Sequence, residues 1–154
     1  MQVLSHVADR LKDLHAAGYV HRDIKPGNIM WLPRKKRWTL IDFGCAARTG
    51  TQATTGFSLY YAAPEVLSEY LNGAPTVEAT EALNAWSLGV LAIELFSGRP
   101  VFDHMTPKAE VCSRNYSCSF YTQLLLPVEF RLLFVGMCSI EILRTLVLGA
   151  VSPV

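Results

Sequence analysis

The 154-residue sequence predicts an α+β fold, mostly α, built round one buried helix with a small β-hairpin between active loops. Three patterns carry this expectation. Between Ala82 and Phe96 the apolar residues Leu83, Trp86, Leu88, Val90, Leu91, Ile93, Leu95 and Phe96 point all round a helix, as in a helix enclosed at a domain centre. Leu4, Val7, Leu11 and Leu14 recur at helical steps and mark one face of a second helix. Two short apolar runs, Ile29 to Leu32 and Trp38 to Ile41, flank the basic turn from Pro33 to Arg37 and read as paired strands.

Each element has a local cause. Gly18 supplies a left-handed stop for the first helix. Pro26-Gly27 makes the stretch from His21 to Asn28 a loop. Asp42-Phe43-Gly44 closes the second strand, and Cys45 to Phe57, rich in Gly, Thr and Ala, has neither period and predicts a mobile loop. Gly98-Arg99-Pro100 ends the central helix. The pattern is weak from Asp103 to Ser119, and Pro127 then opens an apolar, helical stretch through Leu148. No internal repeat or low-complexity tract occurs.

Composition narrows the function classes. At 51% hydrophobic and 18% charged, the chain is not disordered, and its apolar excess suggests surface that expects a partner. Fourteen basic residues against thirteen acidic leave a net charge of +1, with no global field to attract nucleic acid or an anionic membrane. Lys35, Lys36 and Arg37 read as a solvated turn, because no second basic cluster or stacking platform accompanies them. Trp31 and Trp38 read as packing round the strand pair. Cys45, Cys112, Cys118 and Cys138 fit neither metal-ligand spacing nor a secreted disulfide framework and read as reduced thiols of an intracellular protein, cytoplasmic or nuclear. His6, His15 and His104 have no ligand spacing and read as helix-face or surface histidines. The first residues mix polar and charged groups and form no signal peptide. Charges at Glu129, Arg131, Glu141 and Arg144 interrupt the apolar C-terminal third before the ~20 apolar residues a membrane span requires.

Phosphoryl transfer needs a carboxylate at the acceptor hydroxyl, cations on the phosphate oxygens, and ligands for those cations. Asp23 can take or orient the hydroxyl proton, and Lys25 can neutralise charge on the moving phosphate. Asn28 is close enough to ligate a metal sharing the same phosphates. Asp42 offers the hard oxygen magnesium prefers, and Gly44 is expected to permit the backbone turn that swings it inward.

At these residues the sequence resembles the protein kinase family: His21-Arg22-Asp23 with Asn28, then Asp42-Phe43-Gly44, then Ala63-Pro64-Glu65, in the family's order and spacing, followed by Trp86-Ser87-Leu88-Gly89. The resemblance runs from about Leu4 to Phe102 and implies the C-terminal lobe of such an enzyme. It implies Asp23 as base, Lys25 as phosphate contact, Asn28 and Asp42 as Mg2+ ligands, and Met30 as the floor beneath the adenine of ATP. His21 and Phe43 match the family's stacked spine, and Lys25-Pro26 suggests serine or threonine acceptors on protein substrates. The segment from Asp42 to Glu65 resembles an activation loop. Arg22 is then the cation for its phosphate, with Thr49, Thr51, Thr54 and Thr55 as candidate phosphorylation sites. Ser58 matches a structural threonine bonded to the catalytic Asp and Lys, and Tyr61 a substrate shelf.

The sequence also departs from that family. It begins inside the helix before the catalytic loop, contains no Gly-x-Gly-x-x-Gly, and so is expected to lack the small lobe. Asn84 stands where the family has an aspartate anchoring the catalytic loop's backbone. Residues 103–154 read as divergent or compressed terminal helices, in which Arg144 would pair with Glu65, and residues 1–102 as the lobe's core. Two further readings stay open beside a kinase segment: a non-catalytic module docking a partner kinase or a substrate, and a truncated product that does not fold alone.

Overall fold

A computed structural model describes residues 2–102; the expected helix from Pro127 to Leu148, three of the four cysteines, His104 and the Arg144 partner of Glu65 lie outside them. The N-terminal apolar stripe becomes α1, Gln2–Ala16, with Val7 and Leu11 fully buried. Gly18 ends its last turn at φ +80°, donating its N–H to the His15 carbonyl at 2.8 Å, a conformation that strains any other residue.

The chain next forms β1, Tyr19–Val20, and then the hairpin of β2, Ile29–Leu32, and β3, Arg37–Leu40. Register pairs Ile29 with Leu40 and Trp31 with Trp38, whose rings meet at 5.4 Å. The expected second strand, Trp38 to Ile41, is shifted by one residue. Arg37 joins the ladder opposite Leu32, whereas Ile41 leaves it to donate its N–H to the Asn28 carbonyl at 2.9 Å.

The segment after Gly44 is more regular than its sequence predicts. It contains β4, Ala47–Arg48, antiparallel to β1, and β5, Gln52–Thr54, antiparallel to β6, Thr76–Glu78. Both partners are remote in sequence, so no local period could announce these pairings. Between β5 and β6 lies α2, Pro64–Leu71, which has Pro64 in its first turn and Glu65 near its positive end.

The central helix is α3, Glu81–Ser97. Its two sides serve two cores. Leu83, Trp86, Val90 and Ile93 pack with Ala62, Ala63, Val66, Leu67 and Val77, whereas Leu88 and Leu91 pack with Val7, Leu11, Ile24 and Leu40. Burial is not complete all round: Leu95, in the last turn, is 49% exposed. The described residues thus form helices with three small antiparallel sheets, and no helix among them is long and apolar enough to cross a membrane.

Candidate active site

The stretch from His21 to Asn28 is held from below by Ile24, whose side chain is fully buried in the core shared with α1 and α3. Pro26–Asn28 closes the loop as a single 3-10 turn, with the Asn28 N–H on the Lys25 carbonyl at 3.0 Å. That anchoring leaves a row of polar groups buried above the core, and each has an identifiable partner. His21 donates Nε2–H to the Ile41 carbonyl at 3.1 Å and accepts the Asp23 N–H at Nδ1 at 3.3 Å. One nitrogen gives and the other receives, so the ring is neutral. Burial lowers its pKa, against the opposing pull of the Ile41 hydrogen bond and nearby carboxylates.

Asp23 is buried, and its Oδ2 accepts from Lys25 Nζ at 2.8 Å and from Asn28 Nδ2 at 2.9 Å. Asn28 Nδ2 also reaches the Asp23 carbonyl at 2.8 Å, which turns the Asn28 amide oxygen away from the loop. Burial alone would raise the Asp23 pKa; the hydrogen bonds from Lys25 and Asn28, the Lys25 charge and the nearby Ser58 hydroxyl outweigh it and hold the carboxyl below its ordinary range. Asp23 Oδ1 is buried and has no hydrogen-bond partner among the described residues. Lys25 Nζ donates further to Ser58 Oγ at 2.8 Å, tying the loop to the distal end of the following segment.

The turn at Asp42 is built differently. Asp42 itself takes φ +60°, a left-handed conformation, and its Oδ1 accepts the Gly44 N–H at 3.2 Å. Gly44 is not the residue with unusual backbone, contrary to the sequence-based expectation. Its role is space: a Cβ there would stand 3.2 Å from Asp42 Oδ1. Phe43 lies over His21 with ring centroids 4.9 Å apart and is 52% exposed. Met30, on the same hairpin, is also exposed.

Arg22 also has a positive φ, +71°, and is buried beneath the segment that follows the Asp42 turn. Its guanidinium donates to the Cys45 carbonyl at 3.1 Å and to the Thr54 carbonyl, while its backbone N–H donates to Asn84 Oδ1 at 2.8 Å. Thr49, Thr51 and Thr54 are exposed and Thr55 is partly covered; the Thr51 hydroxyl donates to the Arg48 carbonyl at 2.7 Å. Cys45 is a free, half-buried thiol. Glu65 is exposed, and Trp86 lies in the core beside α2.

Three connections escape a reading of the sequence. Tyr61 donates its hydroxyl to Glu94 Oε2 at 2.6 Å, and burial, with this carboxylate, pushes the phenol well above its ordinary range. Ser87 holds the Tyr61 carbonyl at 2.7 Å. Asn84, besides its bond to Arg22, meets His15 Nε2 at 2.9 Å, so His15 is not a bystander on a helix face. The available signals were a lone carboxylate late in a buried helix and, at Asn84, an amide N–H that an aspartate would not have.

Comparison with known proteins places this geometry in context. The sequence profile of the protein kinase domain matches residues 1–131. Human serine/threonine-protein kinase Kist is 41% identical over 101 residues, covering 60% of this chain and 23% of Kist. Zebrafish (Danio rerio) mitogen-activated protein kinase 12 is 35% identical over 106 residues, 66% of this chain and 27% of that kinase. Mouse (Mus musculus) mitogen-activated protein kinase 13 is 36% identical over 94 residues, 60% and 24% respectively. The chain spans about a quarter of the length of these relatives.

Proposed function

The chain belongs to the protein kinase family, and from that premise we propose that residues 1–102 are the core of a serine/threonine kinase's catalytic lobe, with residues 103–154 continuing it. The single observation that carries the reading is the state of Asp23. One carboxylate oxygen is saturated by Lys25 and Asn28, and the other is buried without a partner among the described residues. An acceptor left unpaired in this way suits the proton of a serine or threonine hydroxyl that displaces the atoms covering it.

Lys25 sits between Asp23 and Ser58, where its charge can face a phosphoryl oxygen while its position stays fixed. The donor set fits Mg2+ on two grounds: Asp42 presents an exposed carboxylate, and Asn28 has its amide nitrogen engaged and its oxygen available. Two protein oxygens suffice for an ion that keeps several waters and phosphate oxygens. Mg-ATP, when bound, supplies the phosphoryl group and the cations that neutralise it. Met30 and Phe43 give the nucleotide side an apolar, exposed surface, and the glycine-rich cover and adenine hinge are assigned to a small lobe outside these residues.

The segment from Asp42 to Glu65 is the proposed regulatory loop. Arg22 already holds two of its backbone carbonyls, and a phosphate on Thr49, Thr51, Thr54 or Thr55 would compete for that guanidinium with a stronger, charge-assisted bond. Joined to a nucleotide-binding small lobe, the chain is expected to transfer phosphate from ATP to a protein substrate, with Asp23→Ala lowering the rate by about 10²–10⁴-fold. Equal rates would remove Asp23 from the chemistry. A second reading, a docking module without catalysis, is favoured by the neutral Asn84 at the loop anchor and by exposed Met30 and Phe43. Stable capture of a small lobe with no transfer in the same assay would select it.

A further inference from the structure

Asn84 is fully buried on α3, and both ends of its carboxamide are engaged. The Arg22 backbone N–H can only donate, so the end meeting it at 2.8 Å is the oxygen. The amide nitrogen therefore faces His15 Nε2 at 2.9 Å. An amide N–H offers no lone pair, so His15 Nε2 must accept, and its ring must be neutral with the proton on Nδ1. That proton lies on the side of Glu81, whose Oε2 is 3.7 Å from Nδ1. His21, on the loop itself, is the opposite tautomer.

We propose that His15 is a positioning residue of the catalytic loop: as the neutral Nδ1–H tautomer it accepts the Asn84 N–H and so keeps Asn84 Oδ1 turned onto the Arg22 backbone N–H. Calling the loop catalytic rests on the kinase reading; the orientation of the amide does not. The arrangement tolerates only one proton on the ring. A second, on Nε2, would set N–H against N–H, and the only escape, an amide flip, would turn the NH2 group onto Arg22 N–H. The flip removes the bond that holds Arg22 at its left-handed φ of +71°, and without the flip the two N–H groups must part, which frees the carboxamide to turn and weakens that bond.

The groups around the ring agree with a neutral imidazole. On α1 itself stand Lys12 and Asp13, the latter paired with Arg10 at 2.7 Å. Of the elements packed on α1, β1 brings Tyr19, β3 brings Arg37, and α3 brings Glu81. Burial lowers the His15 pKa, and the Glu81 carboxylate opposes without prevailing. An aspartate at this position would reverse the preference, because a carboxylate accepts from both Arg22 N–H and His15 Nε2–H.

The test uses the 154-residue chain labelled with 15N, following the His15 ring nitrogens and the Arg22 amide from neutral to mildly acidic pH. We expect the Nδ1–H pattern at neutral pH, and hydrogen exchange at Arg22 accelerated by roughly tenfold or more as the ring takes its second proton, after correction for intrinsic rates. His15→Gln keeps an acceptor and retains the protection; His15→Phe loses it; Asn84→Asp moves the ring to the Nε2–H form or to imidazolium. An Nε2–H tautomer in the unmodified chain, or Arg22 protection that ignores the ring's titration, would overturn the proposal even if no variant folds. No readout involves nucleotide, so failure of the kinase reading registers separately, in equal transfer by Asp23→Ala and the parent.

Discussion

The loop from His21 to Asn28 and the turn at Asp42 to Gly44 lie side by side, yet they are held in opposite ways. In the loop His21, Asp23 and Asn28 are 0%, 9% and 5% exposed, and the chain below and behind them supplies nearly every partner they have. In the turn Asp42 and Phe43 face outward, and Asp42 bonds only to the Gly44 N–H among the bonds given above. The difference teaches where each half of the site gets its geometry. The groups that would handle a proton are fixed by this chain's own packing. Of the proposed metal ligands, Asn28 shares that fixed loop, whereas Asp42, with Phe43 on the nucleotide side, waits for what binds there.

Substitutions at the buried anchor of the loop and at the exposed turn should therefore diverge. The largest effect is expected from Asn84→Ala, which leaves the buried Arg22 N–H without an acceptor and its positive φ without a brace. It should destabilise the chain by about 2–3 kcal/mol in denaturant unfolding. A loss under about 0.5 kcal/mol would mean the loop is held by Ile24 and the Arg22 guanidinium alone. Asp42→Gly should do the reverse: stability within about 1 kcal/mol of the parent, because glycine relieves the left-handed strain while adding chain entropy. The same change should abolish Mg2+-dependent nucleotide binding once a small lobe is present. If Asp42→Gly instead costs as much as Asn84→Ala, the two regions are equally prebuilt.

The smallest effect is a slope with pH. His15 has a lowered pKa in the folded chain, so near and below its ordinary 6.5 the unfolded chain binds more protons than the folded one. Its contribution is complete above that value and is lost as pH falls toward and through the folded pKa. Chemical denaturation from pH 7.5 down to about 5 should show this decline together with that of His21, whose pKa is lowered in the same direction, and Asn84→Asp, which favours a protonated His15 ring, should make the combined slope shallower by the His15 share. A decline of the same steepness in Asn84→Asp would place the proton elsewhere.

Much of this architecture was legible because its signals are local. The helical stripe of α1, the apolar circumference of α3 and the two runs of the hairpin each declare themselves within one element, and Gly18 and Gly98 mark where the helices stop. Asp23, Lys25 and Asn28 are near in sequence, so a short loop brings them together. What was illegible depends on distance along the chain. The strands β4 and β5 exist because β1 and β6 arrive beside them, and His15 acquires its partner from α3, almost seventy residues away. The freedom of the turn was expected at Gly44, whereas the positive φ is Asp42's, because an aspartate tolerates that region through a local hydrogen bond.

Helix α3, shared by two cores, also has a consequence for biosynthesis. Leu91 completes the cluster with α1, and Ile93 the one with α2, so neither core is finished until the end of α3 has left the ribosome. Until then α1 and the hairpin emerge with their apolar faces uncovered, and their lasting contacts span most of the described chain. For residues 2–102, the interval in which a nascent chain of this kind needs a chaperone is set by α3, the last-made of the described helices, and it closes for both cores at once.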